Sequence, residues 1–243
     1  MNDLSAVDQV LAIGGIVTET ACLACFLLKG AFRVLPRVTC YLAYTSISEV
    51  IGYIFYLYRD PQSYWFAYVA VSLIGYLFEI AVGWELAVQL TGSIRPALSR
   101  LVRRISLSLL CAFAIMAAIM ASIVSYRGVE VGVGIFLHCD LAFAIFRVFM
   151  FASVLGLTRI LGIGWKDRCA QVTACLSLYA VFALLAEVAH EYLASMPYQY
   201  WGFAIIERVR SCVWCIAMLL LSWQMFAYQD RQDDPGSTAE CNA

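Results

Sequence analysis

Two kinds of residue in this chain have the type and spacing to do chemistry: ionisable side chains set inside long apolar runs, and pairs of ligand-type residues on single helical faces. Glu19, Glu49, Glu79, Glu85, Asp140, Arg147, Glu187, His190, Glu191 and Glu207 belong to the first kind. An ionised group at a bilayer centre is unfavourable by about 2.5–3.5 kcal/mol on insertion scales, so such groups point inward and either pair or line a polar cavity. Asp140 and Arg147 share one helical face, because seven residues make two turns. They stand about 10 Å apart along the axis, too far to bond each other. Each must therefore find a partner on another helix, and for Arg147 the expected partners are one or two of Glu19, Glu49 and Glu207.

Glu187, His190 and Glu191 fall on one face by their three- and four-residue spacing, and Glu187-x-x-His190 has the local form of a carboxylate–histidine metal motif. A single copy does not make a site. His138 beside Asp140 is the other histidine, and a solvated cluster at the membrane surface accounts for both. Cys22-x-x-Cys25 and Cys212-x-x-Cys215 each place two thiols on one face, but deep in apolar sequence, where a thiolate is not activated. Most of the ten cysteines read as small apolar residues rather than a disulfide framework.

These residues are positioned by an unusually apolar chain. Of 243 residues, 63% are hydrophobic and 14% charged, too few charges to clothe a soluble domain of this length. A ~30 Å hydrocarbon layer takes about 20 helical residues, and seven windows meet that length. They run from Gln9 to Leu28, Val38 to Tyr58, Tyr64 to Leu90, Ile105 to Tyr126, Ile135 to Thr158, Cys169 to Ala189 and Trp201 to Tyr228. In the fourth, Ala114, Ala118 and Ser122 form a row of small residues expected to be a helix contact face.

Basic residues between the windows set the orientation. Lys29, Arg33, Arg37, Arg95, Arg100, Arg103, Arg104, Arg159, Lys166, Arg168 and Arg231 lie in alternate connections, while the others hold only Arg59 and Arg127. The positive-inside rule then puts the N-terminus outside and the C-terminus in the cytoplasm. The expected fold is all-α: a polytopic membrane bundle of seven transmembrane helices over 1–228, with a disordered acidic cytoplasmic tail over 229–243. Met1 to Gln9 has no Lys or Arg, so it lacks the basic start of a cleavable signal peptide.

The absences narrow the chemistry. Lys29 and Lys166 both fall in connections, so no lysine is placed to hold retinal in the last window. Two histidines cannot fill the three-histidine zinc set of seven-helix hydrolases of the ceramidase and adiponectin-receptor kind. No Walker loop, dinucleotide-binding glycine turn or Gly-x-Ser-x-Gly elbow occurs. The net charge of −1 and scattered basic clusters give no nucleic-acid face. Nothing calls for a cofactor, and no catalytic or metal-ligating residue is assigned.

Phe32 to Tyr41 (FRVLPRVTCY), Tyr64 to Leu86 (YWFAYVAVSLIGYLFEIAVGWEL) and Ala144 to Trp165 (AIFRVFMFASVLGLTRILGIGW) resemble an uncharacterised family of bacterial seven-helix integral membrane proteins, loosely similar to the seven-helix sensor regions ahead of histidine kinases. The resemblance implies the same orientation and a sensing role, with no functional residues to carry over. The chain departs from the kinase-linked form in having about fifteen residues after the seventh window, so a signal would pass to a separate cytoplasmic signalling or membrane partner.

The resulting expectation is a stand-alone sensory or accessory module, multi-pass in the cytoplasmic (inner) membrane, with an outer-facing polar pocket of Glu49, Asp140, Arg147, Glu187, His190 and Glu207. A small proton-coupled transporter using Glu19, Glu49, Glu79 and Glu85 is the first alternative. A membrane enzyme acting on lipid or isoprenoid through Asp140, Glu187, His190 and Glu191 is the second.

Overall fold

The structure, a computed structural model, describes residues 6–58, 61–92, 131–162, 167–194 and 200–232, with 104, 108, 111–112, 114–119 and 122 between them. Side chains at some helix ends, including those of His190 and Glu191, lie outside that description. The described elements are six α-helices and one short 3-10 turn: α1 (Ala6–Leu28), the turn Ala31–Arg33, α2 (Pro36–Tyr58), α3 (Pro61–Gly92), α4 (Val131–Ile160), α5 (Arg168–Ala194) and α6 (Tyr200–Gln232). Five stretches are long and apolar enough to cross a membrane: Ala6–Leu28, Pro36–Phe55, Trp65–Leu90, Ile135–Ile160 and Arg168–Ala189. They coincide with the first, second, third, fifth and sixth windows. The fourth window lies mostly outside the described residues, and the seventh corresponds to α6, which continues four residues past the expected end at Tyr228.

The helix boundaries follow local rules. Pro36 and Pro61 open α2 and α3, where a missing N–H is harmless and the fixed φ suits a first turn. Asp167 caps α5 by accepting the Ala170 N–H at 3.1 Å. Gly30 and Gly162 follow the last residues of α1 and α4 with φ of 64° and 66°, the left-handed geometry that ends helices.

Each helix packs beside its neighbours in the order α1, α2, α3, α4, α5, α6, and α6 returns to α1, closing a ring. Contacts along the seams give the directions. Gly15 meets Glu49, so α1 and α2 are antiparallel, while Asp8–Arg208, Glu19–Trp214 and Lys29–Phe226 show α1 and α6 parallel. Tyr68–Phe136, Tyr76–Asp140 and Gly83–Met150 show α3 and α4 parallel as well. The outer surface is apolar: Leu77, Ile115, Ile135, Leu185 and Trp223 are all exposed, as lipid-facing side chains would be.

Inside the ring the two ends differ. Toward the end that carries Lys29, Arg33 and Arg168, Phe26, Leu35, Val38, Leu42, Leu86, Met150, Met218 and Leu221 are buried in one continuous core. Ala117 belongs to that core, whereas Ala114, Ala118 and Ser122 are exposed, so the expected row of small residues does not face the core. Gly83 allows α3 to approach α4 closely. A Cβ there would run into the side chain of Met150, which is itself buried in the core. Gly83→Val is therefore expected to lose about 1–3 kcal/mol through overpacking. Melting of the detergent-solubilised protein would show it, and Met150→Ala should restore much of the loss.

Candidate functional site

At the opposite end the ring is polar and hollow. Two adjoining cavities, about 540 and 290 Å³, share Tyr41, Thr45, Ser48, Glu49, Tyr179 and Arg210 as common wall. The larger lies between α1, α2 and α6 with Tyr179 of α5 in its wall; the smaller is bounded by α2, α3, α4 and α5 with Arg210 of α6 in its wall. They occupy the half of the bundle that holds the start of α1, α3, α4 and α6 and the end of α2 and α5.

Of the six residues assigned to a pocket from sequence, Glu49, Asp140, Arg147 and Glu187 line the smaller cavity, and Glu49 and Glu207 line the larger. The side chain of His190 lies outside the described residues. Asp140 and Arg147 each find a partner on another helix, as their two-turn separation requires, and both partners lie on α3. The Tyr76 hydroxyl donates to Asp140 Oδ1 at 2.6 Å, and Arg147 Nε stands 2.6 Å from Glu79 Oε2. The expectation that Arg147 would meet Glu19, Glu49 or Glu207 is thus corrected: its counter-ion is Glu79. The parallel packing of α3 on α4 sets Tyr76 against Asp140 and Glu79 one turn deeper, at the level of Arg147. Tyr41 on α2 donates its hydroxyl to Glu79 Oε1 at 3.1 Å, so three helices converge on this pair.

Nearer the open end, Arg210 bridges Glu187 at 3.0 Å and Glu207 at 2.8 Å, tying α5 to α6. Arg208 grips Asp8 through two bonds, 2.7 and 3.1 Å, at the rim. Both are partly exposed, so the bidentate geometry fixes the ends of α1 and α6 more than it adds stability.

Deeper in the larger cavity, Glu19 accepts the indole N–H of Trp214 at Oε1. Its other oxygen, Oε2, has no hydrogen-bond donor, although Thr45 stands beside it. The Thr45 hydroxyl is turned to the Leu42 carbonyl at 3.1 Å. Glu49 lies across Gly15: a Cβ there would come within 2.7 Å of Glu49 Oε2. Glu85, by contrast, takes no part in the cavity. Its carboxylate accepts the Arg37 N–H at 3.1 Å and the Val38 N–H at 2.9 Å, capping α2 from α3. It belongs to the closed end.

The six-residue pocket expected from sequence left out Glu19 and Glu79, named there among the acids that pair or line a cavity, and did not include Trp214, Arg210 or the tyrosines. The usable signal was the three-residue spacing of Tyr76 and Glu79, which puts a donor and an acid on one face of α3. Among the described residues no group of three or more His, Cys, Asp or Glu side chains is arranged to hold a metal, and Cys22 and Cys25 are buried free thiols. The arrangement suits binding of a small polar molecule at the open end of the bundle: donors, acceptors and aromatic rings converge on a concave volume. No protein-family model, curated protein or solved structure matches the chain.

Proposed function

We propose that the chain is a seven-span protein of the cytoplasmic membrane, N-terminus outside, whose outward-facing cavity binds a small ligand and whose inner turns pass the change to a cytoplasmic partner. The observation that carries this reading is the asymmetry of the ring: cavities at one end, a continuous apolar core at the other. A solute could enter from the predicted outer side and go no further, which is the behaviour of a receptor. The arginine-rich connections sit at the closed end, where a cytoplasmic partner would read them.

The parallel run of α3 and α4 supports the seventh crossing. Two successive helices pointing the same way need a return path spanning the bilayer, and residues 93–130 are long enough for one, with 104, 108, 111–112, 114–119 and 122 helical. Transport by freely titrating acids has less support, because Glu79 is held by Arg147 and Tyr41 and Glu85 by two backbone amides.

Ser211 lines the larger cavity and provides the test. With Cys212 and Cys215 changed to alanine, Ser211→Cys is expected to react with a membrane-impermeant thiol reagent added to intact cells. Reaction only in inside-out vesicles would reverse the orientation and end the outward-receptor reading. Reconstituted vesicles should show no pH-dependent flux beyond that of Glu49→Gln; a clear excess would favour the transporter.

A further inference from the structure

We infer that the larger cavity takes a small organic ammonium ion, held between Glu19 and Glu49 beside Trp214 and Tyr179. This ligand class deepens the outward-facing site proposed above and rests on it. The argument begins with the charges on the cavity walls. Each arginine there is engaged: Arg147 with Glu79, Arg208 with Asp8, and Arg210 with Glu187 and Glu207. Asp140 takes the Tyr76 hydroxyl.

Glu19 and Glu49 are left over. They occupy facing positions on α1 and α2, and among the described residues neither has a cationic partner. Glu19 is only 1% exposed and lines the cavity, with Oε1 bonded to the Trp214 indole and Oε2 left without a donor while the adjacent Thr45 hydroxyl is turned to the Leu42 carbonyl. A buried acceptor without a donor is costly, and more so when it is charged, so this oxygen is a place where a ligand N–H gains more than it would in water. Glu49, across Gly15, supplies the second carboxyl within the same volume.

The neighbouring wall is aromatic. Trp214 and Tyr179 have ring centroids 4.4 Å apart and both line the cavity. Aromatic rings attract cations, Trp most strongly. A volume of about 540 Å³ lies within the range of small-molecule pockets, so the ammonium group would carry an organic body rather than enter bare. An anion would meet two unmatched carboxyls with no unengaged arginine to receive it.

The full chain in detergent is titrated with benzylammonium chloride, and with benzyl alcohol, benzoate and sodium chloride as neutral, anionic and inorganic counterparts. Saturable binding of benzylammonium alone is expected, weakened about tenfold or more in Glu49→Gln, the loss of one charge-assisted contact. Glu19→Gln should do the same where it folds. A second measurement needs no variant: benzylammonium should protect Cys215, a cavity-lining thiol, from alkylation, and benzoate should not. Equal binding of benzyl alcohol or benzoate overturns the ammonium assignment while leaving an outward cavity in place. Equal protection by sodium overturns the organic class. Absence of protection by benzylammonium overturns the inference outright. Failure of the impermeant reagent to reach Ser211→Cys from outside marks the separate failure of the underlying reading.

Discussion

Arg147→Met is expected to lower stability by about 3–5 kcal/mol, because it leaves Glu79 buried in the bundle without its counter-ion. Both side chains are almost wholly enclosed, and their 2.6 Å contact joins α3 to α4 while Tyr41 ties Glu79 to α2. Glu79→Met should be similarly severe, since it strands the guanidinium instead. The double variant Arg147→Met with Glu79→Met is expected to recover most of the loss, as two apolar side chains can fill the same space with no charge to satisfy. Tyr41→Phe removes one hydrogen bond to Glu79 and should cost about 1 kcal/mol. Melting in detergent would give the full cycle. Additive single losses with no recovery in the double variant would show that the two residues act independently, and the assignment of Glu79 as counter-ion would fail.

Glu85→Leu is the second large effect. Glu85 reaches from α3 to accept the N–H groups of Arg37 and Val38, two amides of a first helical turn that have no intrahelical acceptor. Each bond to a charged acceptor contributes about 1.5–3 kcal/mol, and the negative charge also meets the positive end of the α2 dipole. A loss of about 3 kcal/mol is expected, with Glu85→Gln recovering part of it through its amide oxygen. Hydrogen exchange should localise the damage: the Arg37 and Val38 amides should lose protection while those of α5 do not. Uniform loss across the bundle, or none at Arg37 and Val38, would contradict a capping role. This residue also illustrates why an acid inside an apolar run is not evidence of a proton path. Its partners are backbone groups at the closed end, and the cavity is elsewhere.

The unequal fates of Glu19, Glu49, Glu79 and Glu85 follow from packing that no periodicity records. Depth along a helix is linear in residue number, so the sequence orders these acids from one membrane surface to the other. Azimuth is different. Whether Glu79 faces Arg147 depends on how α3 is rotated against α4, and Gly83 beneath Met150 helps set that rotation. Tyr76 and Tyr41, which supply the donors to Asp140 and Glu79, look in sequence like any other aromatic residue of an apolar run.

The amino-acid sequence alone was enough to determine the all-helical class of the described residues and the positions of five apolar helices, because these depend on length, composition and local turn chemistry. It also brought Asp140 and Arg147 to one face and required partners for both. Tertiary structure decided who those partners are, which acid became a cap, and that Glu19 and Glu49, on adjacent helices lining one cavity, were left without a cationic partner among the described residues. Such outcomes depend on distances of a few ångströms between helices far apart in the chain, and only the closed ring sets them.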